Sequence, residues 1–294
     1  ISGKLTPTPD CGRNLTGIWV NLLITGPGGR WDQQAFQTND PFGHFVLANY
    51  TGFNALGQWT VQALFAGNEA YEGASSEVIT VQVVETAGYA VIVEGRLWNR
   101  EGLASHNKTA NFVYDQLRLR GLLDTDIRYL NFDTTQPGVY GAPSRAAVQE
   151  AITQWARDKM NAGPANLYLV FVDHGSTKSF YLDPEVITSE DLADWIDTLQ
   201  RSLYGEAAVQ EIVVLLGFCR SGSFLEDVAG FRRVCIASAA AEEASYKGPL
   251  DPGEAGGVRD GEFFITEFFK SAGLGKSLHA CFLEAADKTR TFTS

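Results

Sequence analysis

Two apolar segments of the chain end next to residues that can carry out nucleophilic chemistry. The segment Leu167–Val172 leads to His174, and the segment Ile212–Leu216 leads to Cys219. A thiol becomes a useful nucleophile when a nearby imidazole takes its proton and later protonates the leaving amine. Gly175, after the histidine, lets backbone approach a substrate, and exposed N–H groups of such loops can stabilise an oxyanion. The pair predicts a cysteine nucleophile with a histidine base.

The elements around these residues predict that they lie close together. Both segments are continuously apolar, as expected for strands that are covered on both faces. From Tyr89 onward, strands and helices alternate, which indicates an α/β domain with a parallel or mostly parallel sheet between helices. Catalytic groups in such sheets lie at the carboxyl ends of the strands. We therefore expect His174 and Cys219 at one rim of the sheet.

Other roles for these residues are also open. A free cysteine is most often a small buried hydrophobe, but the Ser-Gly-Ser turn after Cys219 favours catalysis. Cys219 with His279 has the chain order of papain-like enzymes. His279 falls within a helical segment, so we interpret it as a helix-surface residue. His106 is expected in the loop before the first helix.

Periodicity predicts further elements of this α/β region. Helices are expected over 107–120, after Ser144 as N-cap, and after Ser189 as N-cap with Leu192, Trp195, Ile196 and Leu199 buried. Further strands are expected at 89–94, 126–130 and 234–237, and two final helices should bury Phe264, Ile265, Phe268, Phe269, Leu278, Cys281, Phe282 and Ala285.

The first part of the chain has a different pattern. Short runs with period-2 alternation, separated by Gly, Pro, Asn and Asp, predict strands at 17–24, 44–48, 57–65 and 76–84. This spacing is typical of a β-sandwich, with Trp59 in its core. The pattern changes near Thr86, which predicts a β-sandwich domain over 1–86 and an α/β domain over 87–294.

The two strand ends carry a family resemblance. The sequences Val-Asp-His-Gly-Ser at 172–176 and Phe-Cys-Arg-Ser-Gly-Ser-Phe at 218–224 resemble the signatures of legumain-type cysteine peptidases, which belong to the caspase-like group. The resemblance extends over about residues 89–290. The stretch Gly57–Ala74 resembles the last strands of bacterial immunoglobulin-like domains.

The resemblance implies a caspase-like three-layer α/β/α sandwich that hydrolyses peptide bonds. It implies a dyad of His174 and Cys219, a thioester intermediate, and an oxyanion hole made by the backbone N–H groups of Gly175 and Cys219. Asp173 is a doubtful partner for the histidine because alternate strand residues point to opposite faces; Asn99 and Asn107 are the alternatives.

The substrate pocket is less well defined by the resemblance. Legumains carry an acidic residue two positions before the cysteine, where this chain has Gly217. The basic pocket residue has several candidates, and Ser238 follows a matching strand. The candidate pocket residues are Arg96, Arg100, His106, Lys108 and Ser238.

Composition limits the partners and the compartment. The net charge of −12, without a basic patch, argues against nucleic acid. No apolar run is long enough to span a membrane. Cys11, Cys219, Cys235 and Cys281 form no CxxC pair, so we predict no metal site and no cofactor. We expect a mature product or excised segment of a secreted, periplasmic or cell-surface protein that acts as a monomer on protein or peptide substrates.

Two alternatives to a general endopeptidase are open at this stage. The fold could be an inactive peptidase that serves adhesion or scaffolding at a cell surface. The enzyme could instead process mainly its own chain, for which the long loops 131–143 and 246–260 are the candidate sites.

Overall fold

The chain separates into two compact units, Ile1–Glu85 and Thr86–Ser294. The structure is a computed structural model that describes residues 1–6, 14–48, 50–83, 86–98, 103–249 and 257–293. Cys11, Asn99 and Arg100 lie outside these described residues. None of the helices described is both long and apolar enough to cross a membrane.

The first unit is built from strands. They are β1 (Ser2–Lys4), β2 (Trp19–Thr25), β3 (Trp31–Gln37), β4 (His44–Val46), β5 (Gly57–Phe65), β6 (Ala74–Ser75) and β7 (Ile79–Val83). Strand β2 pairs antiparallel with β3 and with β5, and β1 pairs with β4. Its core includes Trp59, which is 2% exposed as predicted. The immunoglobulin-like assignment stays a prediction.

Strand β3 was not predicted. Its sequence, Trp-Asp-Gln-Gln-Ala-Phe-Gln, is mainly polar, and no residue of the strand is fully buried. It nevertheless pairs with β2 along its whole length, from Trp31 opposite Thr25 to Gln37 opposite Trp19. This edge strand is held by backbone pairing and not by burial of its side chains. Its sequence therefore lacks the alternation of apolar and polar residues that predicts a strand.

The second unit alternates strands and helices. Its elements are β8 (Tyr89–Glu94), α1 (Leu103–Leu119), β9 (Ile127–Leu130), β10 (Val139–Gly141), α2 (Arg145–Glu150), α3 (Ala156–Ala162), β11 (Leu167–Val172), β12 (Gly175–Ser176), β13 (Ser179–Leu182), β14 (Glu185–Thr188), α4 (Ser189–Ser202), β15 (Ile212–Gly217), α5 (Leu225–Val228), β16 (Arg233–Ala237), α6 (Phe263–Gly273) and α7 (Leu278–Thr293). A π-helical turn, Ala151–Trp155, joins α2 to α3.

A six-stranded sheet forms the centre of this unit, in the order β10-β9-β8-β11-β15-β16. Each neighbouring pair is parallel. Every residue of β8, β11 and β15 is buried. One core cluster joins the sheet to α2, α3 and α4, and a second joins it to α1, α6 and α7. Helices therefore cover both faces, as the apolar strands predict.

The ends of some helices differ from the prediction. Helix α1 begins at Leu103, so His106 lies in its first turn and not in a preceding loop. Thr188, not Ser189, caps α4, because its hydroxyl accepts from the backbone N–H of Asp191 while the Asp191 carboxylate accepts from that of Thr188. Ser144 caps α2 as predicted.

Of the other predictions for the second unit, some are confirmed and some are wrong. The four predicted core residues of α4 are buried, but Phe282 in α7 is 39% exposed and not fully buried. Part of the loop 131–143 is the edge strand β10. Strands β12, β13 and β14 form a small antiparallel sheet directly after the histidine, which the prediction missed.

Candidate active site

The pairing of β11 with β15 brings the two candidate catalytic residues to one edge of the sheet. Val172 is the register partner of Gly217, and the backbone N–H of Asp173 donates to the Gly217 carbonyl at 3.2 Å. His174 and Cys219 each lie two residues beyond this last pair. Both residues are partly exposed, so a substrate can reach this edge.

The loops that carry His174 and Cys219 also contact each other. Gly175 lies against the ring of Phe218, and a Cβ atom at position 175 would collide with that ring and with the Ser179 carbonyl, 2.8 Å away. Phe218 is fully buried, and its ring packs against those of Phe180 and Phe224, with centroids 5.1 Å apart in each case. The residue before the cysteine is thus anchored in the core, and the glycine after the histidine permits the close approach.

A buried contact between an imidazole and a carboxyl group lies next to the histidine. Nδ1 of His106 lies 3.0 Å from Oδ2 of Asp173, and both side chains are at most 2% exposed. The His106 ring meets the His174 ring edge to face, with centroids 4.9 Å apart and an interplanar angle of 84°. The other carboxyl oxygen of Asp173, Oδ1, lies 3.9 Å from Nε2 of His174, which is beyond hydrogen-bond distance. Oδ1 of Asp173 accepts a hydrogen bond from the backbone N–H of His174 at 2.6 Å, while Oδ2 faces His106. Asn107, another candidate partner, accepts a hydrogen bond from Asn131.

The same three residues have donor atoms that a metal ion could use. The ligand atoms of His106, Asp173 and His174 all lie within 4.8 Å of one another. Two imidazoles and a carboxylate form a ligand set that suits zinc. The 3.0 Å separation of His106 Nδ1 from Asp173 Oδ2 is also that of a direct contact between an imidazole and a carboxyl group. We interpret the cluster as this contact beside His174.

Glu94 adds a second acid beneath this cluster. It ends β8 and is fully buried. Burial and the nearby Asp173 raise the pKa of its carboxyl group to about 9, against the smaller opposing effects of the Phe132 backbone N–H and of Arg96. Glu94 is therefore protonated and neutral at pH 7, so the edge of the sheet avoids a second buried negative charge.

A hydroxyl and a third buried acid lie beside the cysteine. Sγ of Cys219 is 3.6 Å from Oγ of Ser245, and Ser245 and Ser238 both lie next to the carboxyl group of Glu262. Glu262 is 1% exposed. Burial raises the pKa of its carboxyl group to about 8, against a smaller lowering by the two serine hydroxyls. The Glu262 carboxyl group is therefore mainly protonated and neutral at pH 7.

The predicted pocket residues do not form one group. Arg96 donates to the Asp183 carbonyl at 2.9 Å and stacks on the Phe132 ring at 3.9 Å. Lys108 donates to the Val258 carbonyl and pairs with Asp260 at 3.4 Å. These contacts are structural ones within the domain, and Arg100 lies outside the described residues. A cationic substrate pocket made by Arg96 or Lys108 stays a prediction without a contact to support it.

His106 and Ser238 have contacts that relate them to the catalytic edge. His106 is bound to Asp173, as described above. The backbone N–H of Ser238 donates to the Leu216 carbonyl at 2.9 Å and so continues the pairing of β15 with β16. Its hydroxyl oxygen is buried. Ser238 therefore lies alongside the strand that leads to Cys219.

Sequence reasoning missed Glu262 and Ser245 and did not assign a role to Glu94. Glu262 precedes the apolar run Phe-Phe-Ile-Thr-Glu-Phe-Phe, and Glu94 ends an otherwise apolar strand. A charged residue that directly adjoins a mainly apolar segment is rarely buried without a function or a partner. That signal was available for both acids, whereas Ser245 has no distinctive sequence context.

The remaining candidate nucleophile and base residues lie elsewhere. His279 is exposed in the first turn of α7, as predicted for a helix-surface residue. Cys219, Cys235 and Cys281 are free cysteines. Burial raises the pKa of the Cys235 and Cys281 thiols, and Cys281 is fully buried. Of these three thiols, only Cys219 lies at the carboxyl ends of the sheet.

Comparisons with known proteins concern mainly the second unit. Residues 150–289 match the family model of the Peptidase C13 family. Caspase-1 from Spodoptera frugiperda, in its crystal structure, superposes with a TM-score of 0.47 at 12% identity, over 70% of this chain and 77% of that chain; a likeness of this size carries no conclusion. No curated protein matches the sequence. The family match includes His174 and Cys219 and supports a cysteine peptidase, in agreement with the two motifs.

We predict that removal of the Asp173 carboxyl group destabilises the domain. Asp173→Ala leaves a buried imidazole without its carboxylate, and it should lower the free energy of unfolding at pH 7 by about 3 kcal/mol. Asp287→Ala removes an exposed pair with Arg290 and serves as the control, with a change below about 1 kcal/mol. Urea denaturation measures the free energy of unfolding of both variants. Equal decreases in the two variants would contradict the prediction for Asp173.

We predict that Glu94 makes stability decrease as the pH rises. Between about pH 4.5 and 9 the unfolded state loses the proton of this carboxyl group while the folded state keeps it, so unfolding becomes easier. Glu94→Gln removes this dependence and should raise the free energy of unfolding at pH 8 by on the order of 4 kcal/mol, which appears as a higher melting temperature. The difference should vanish near pH 4. A variant less stable than wild type at pH 8 would contradict the protonated state.

Proposed function

We propose that the second unit is a caspase-like cysteine endopeptidase in which His174 and Cys219 form the catalytic dyad. The observation that carries the proposal is the register of β11 and β15, in which Val172 lies opposite Gly217 and each catalytic residue follows two positions later. The Peptidase C13 match over 150–289 supports the same chemistry.

The proposed reaction is acyl transfer through the cysteine sulfur. His174 takes the thiol proton of Cys219, and the thiolate attacks the carbonyl carbon of the scissile peptide bond. The negative charge that develops on the carbonyl oxygen is stabilised by the backbone N–H groups of Gly175 and Cys219. The protonated imidazole then donates its proton to the leaving amine, which departs and leaves a thioester.

Water completes the reaction. His174 accepts a proton from the water molecule that attacks the thioester carbonyl, and the returning proton restores the thiol as the acid product leaves. The role of Asp173 and His106 in this scheme is positional. Their buried pair fixes the His106 ring, and the edge-to-face contact limits the orientations that the His174 ring can adopt.

The first unit has a supporting role in this proposal. We assign it as an immunoglobulin-like sandwich, on the basis of its paired strands and its core around Trp59. The contacts described for it offer no catalytic group. Such a module serves to space or stabilise the peptidase, which we propose to act as a monomer on extracellular protein substrates.

The dyad predicts selective chemistry at one thiol. In a Cys11→Ser background, iodoacetamide should modify Cys219 much faster than the partly buried Cys235 or the fully buried Cys281, because burial raises the pKa of both of those thiols. Mass spectrometry of the digested protein measures each rate. Modification of the three thiols at equal rates would overturn the proposed nucleophile.

The dyad also predicts the effect of its removal. Cys219→Ala should abolish cleavage of a fluorogenic peptide library, and His174→Ala should lower kcat/KM by on the order of 10²- to 10⁴-fold. His279→Ala, which changes an exposed histidine, is the matched control and should leave kcat/KM unchanged. Thermal melts verify folding. Undiminished cleavage by folded Cys219→Ala would contradict the mechanism.

A further inference from the structure

A buried carboxyl group lies beside the proposed nucleophile and takes no part in the mechanism above. Glu262 directly precedes α6 and is 1% exposed. Its backbone N–H and that of Gly261 both donate to the Thr109 hydroxyl, at 3.3 and 2.9 Å. The backbone N–H of Phe263 donates to the Tyr246 carbonyl at 2.9 Å. Helix α1 and the segment around Ser245 thus hold Glu262 in a fixed position.

The Glu262 side chain fills the space above the end of β15. A Cβ atom at Gly217, two residues before Cys219, would lie 3.3 Å from Cγ of Glu262 and 2.5 Å from Cγ1 of Ile265. No side chain fits at position 217 while these two residues keep their places. Because position 217 has no room for an acidic side chain, the carboxyl group next to this end of β15 is that of Glu262.

The hydrogen-bonding capacity of the polar atoms around Glu262 is not filled. Among the described residues, neither carboxyl oxygen of Glu262 nor the hydroxyl oxygen of Ser238 has a hydrogen bond of good geometry, although all three atoms are buried. The hydroxyls of Ser238 and Ser245 lie close enough to affect the Glu262 pKa, but they do not satisfy the carboxyl group. Unpaired buried polar atoms destabilise a fold, and such groups call for a partner. Because these atoms lie beside Cys219, the partner is a side chain of the substrate.

The chemistry of these atoms selects the kind of side chain. Carboxylate oxygens accept hydrogen bonds, so the partner must supply N–H donors, and a guanidinium or ammonium group supplies donors only. Lys108, in the helix that also holds the Glu262 backbone, is already paired with Asp260. A cationic side chain would also favour the ionised form of the acid and remove the cost of burying that charge alone.

We infer that Glu262 recognises a lysine or arginine side chain of the substrate at the residue before the scissile bond. The inference rests on the proposed peptidase function and names its substrate class. Glu262 is the specificity residue, Gly217 leaves room for it, and Ser238 and Ser245 line its carboxyl group.

The ionisation of Glu262 gives the recognition a characteristic pH dependence. Its pKa of about 8 means that the carboxyl group is protonated in the free enzyme at pH 7. The groups that face it are the hydroxyls of Ser238 and Ser245. Cys219 lies beyond Ser245, and the His106 ring lies against Gly261. For substrates with arginine, kcat/KM should therefore rise through about pH 8, relative to substrates with a neutral residue at the same position.

The test compares peptides that differ only in the residue before the reporter group. The set contains arginine, lysine, asparagine, aspartate and citrulline, the last of which has the shape of arginine without its charge. Wild type should cleave the arginine and lysine peptides with a kcat/KM about 30-fold or more above that of the citrulline peptide. Glu262→Gln, which keeps the shape of the side chain, should reduce this ratio to near one. The wild-type ratio alone tests the charge preference if the variant does not fold.

Controls separate this inference from the proposed function. Asp260→Asn removes an acid two residues away that Lys108 already pairs with, and it should keep the wild-type ratio. Iodoacetamide labelling of Cys219 should be unchanged in Glu262→Gln. Cysteine-dependent cleavage that favours asparagine, aspartate or citrulline overturns the inference alone, as does an unchanged arginine preference in Glu262→Gln. Absence of any cleavage overturns both.

Discussion

The parallel pairing of β11 with β15 is the constraint on which the site depends. Both strands are buried along their whole length, and each residue from Leu167 to Val172 has its partner between Ile212 and Gly217. Parallel strands end at the same edge of a sheet, so this register sets the relative positions of His174 and Cys219. A shift by one residue would turn every side chain of a strand to the opposite face. The hydrophobic effect on two covered strands therefore determines where the chemistry can take place.

The same edge of the sheet collects buried acids, and each is accommodated in a different way. Asp173 is paired with His106 at 3.0 Å. Glu94 has no such partner and remains protonated, with a pKa of about 9. Glu262 is also protonated in the free protein, with a pKa of about 8, and lies beside the serine that contacts Cys219. An isolated buried carboxylate is costly, so neutral acids are the stable form until a cation arrives.

Much of the fold could be predicted because the covered strands are continuous apolar runs. The sequence pattern predicts strands at Leu167–Val172 and Ile212–Leu216 for that reason, and with them the position of His174 and Cys219 just beyond two strand ends. Strand β3 was not evident, since its pairing involves backbone groups and its side chains are mainly polar. Thr188 was overlooked as a cap because two consecutive hydroxyl residues can each serve, and only the reciprocal bonds with Asp191 distinguish them.

The finer parts of the site depend on contacts between residues that are distant in sequence. His106 meets Asp173 because α1 packs beside the end of β11, and no local pattern reports such a contact. Glu262 reaches the space above Gly217 from the start of α6, after a long connection. The absence of an acid at position 217 was visible in the sequence. Glu262 could be identified as the acid next to position 217 only from the position of α6 in the structure.

The most direct test of the central claim is a covalent trap of the nucleophile. A peptidyl acyloxymethyl ketone carrying arginine next to the reactive group forms a thioether with a cysteine that an adjacent histidine activates. Peptide mapping of the treated protein should locate the adduct on Cys219 alone, and His174→Ala should lose most of the labelling. An adduct on Cys235 or Cys281, or equal labelling of Cys219 in His174→Ala, would contradict the dyad.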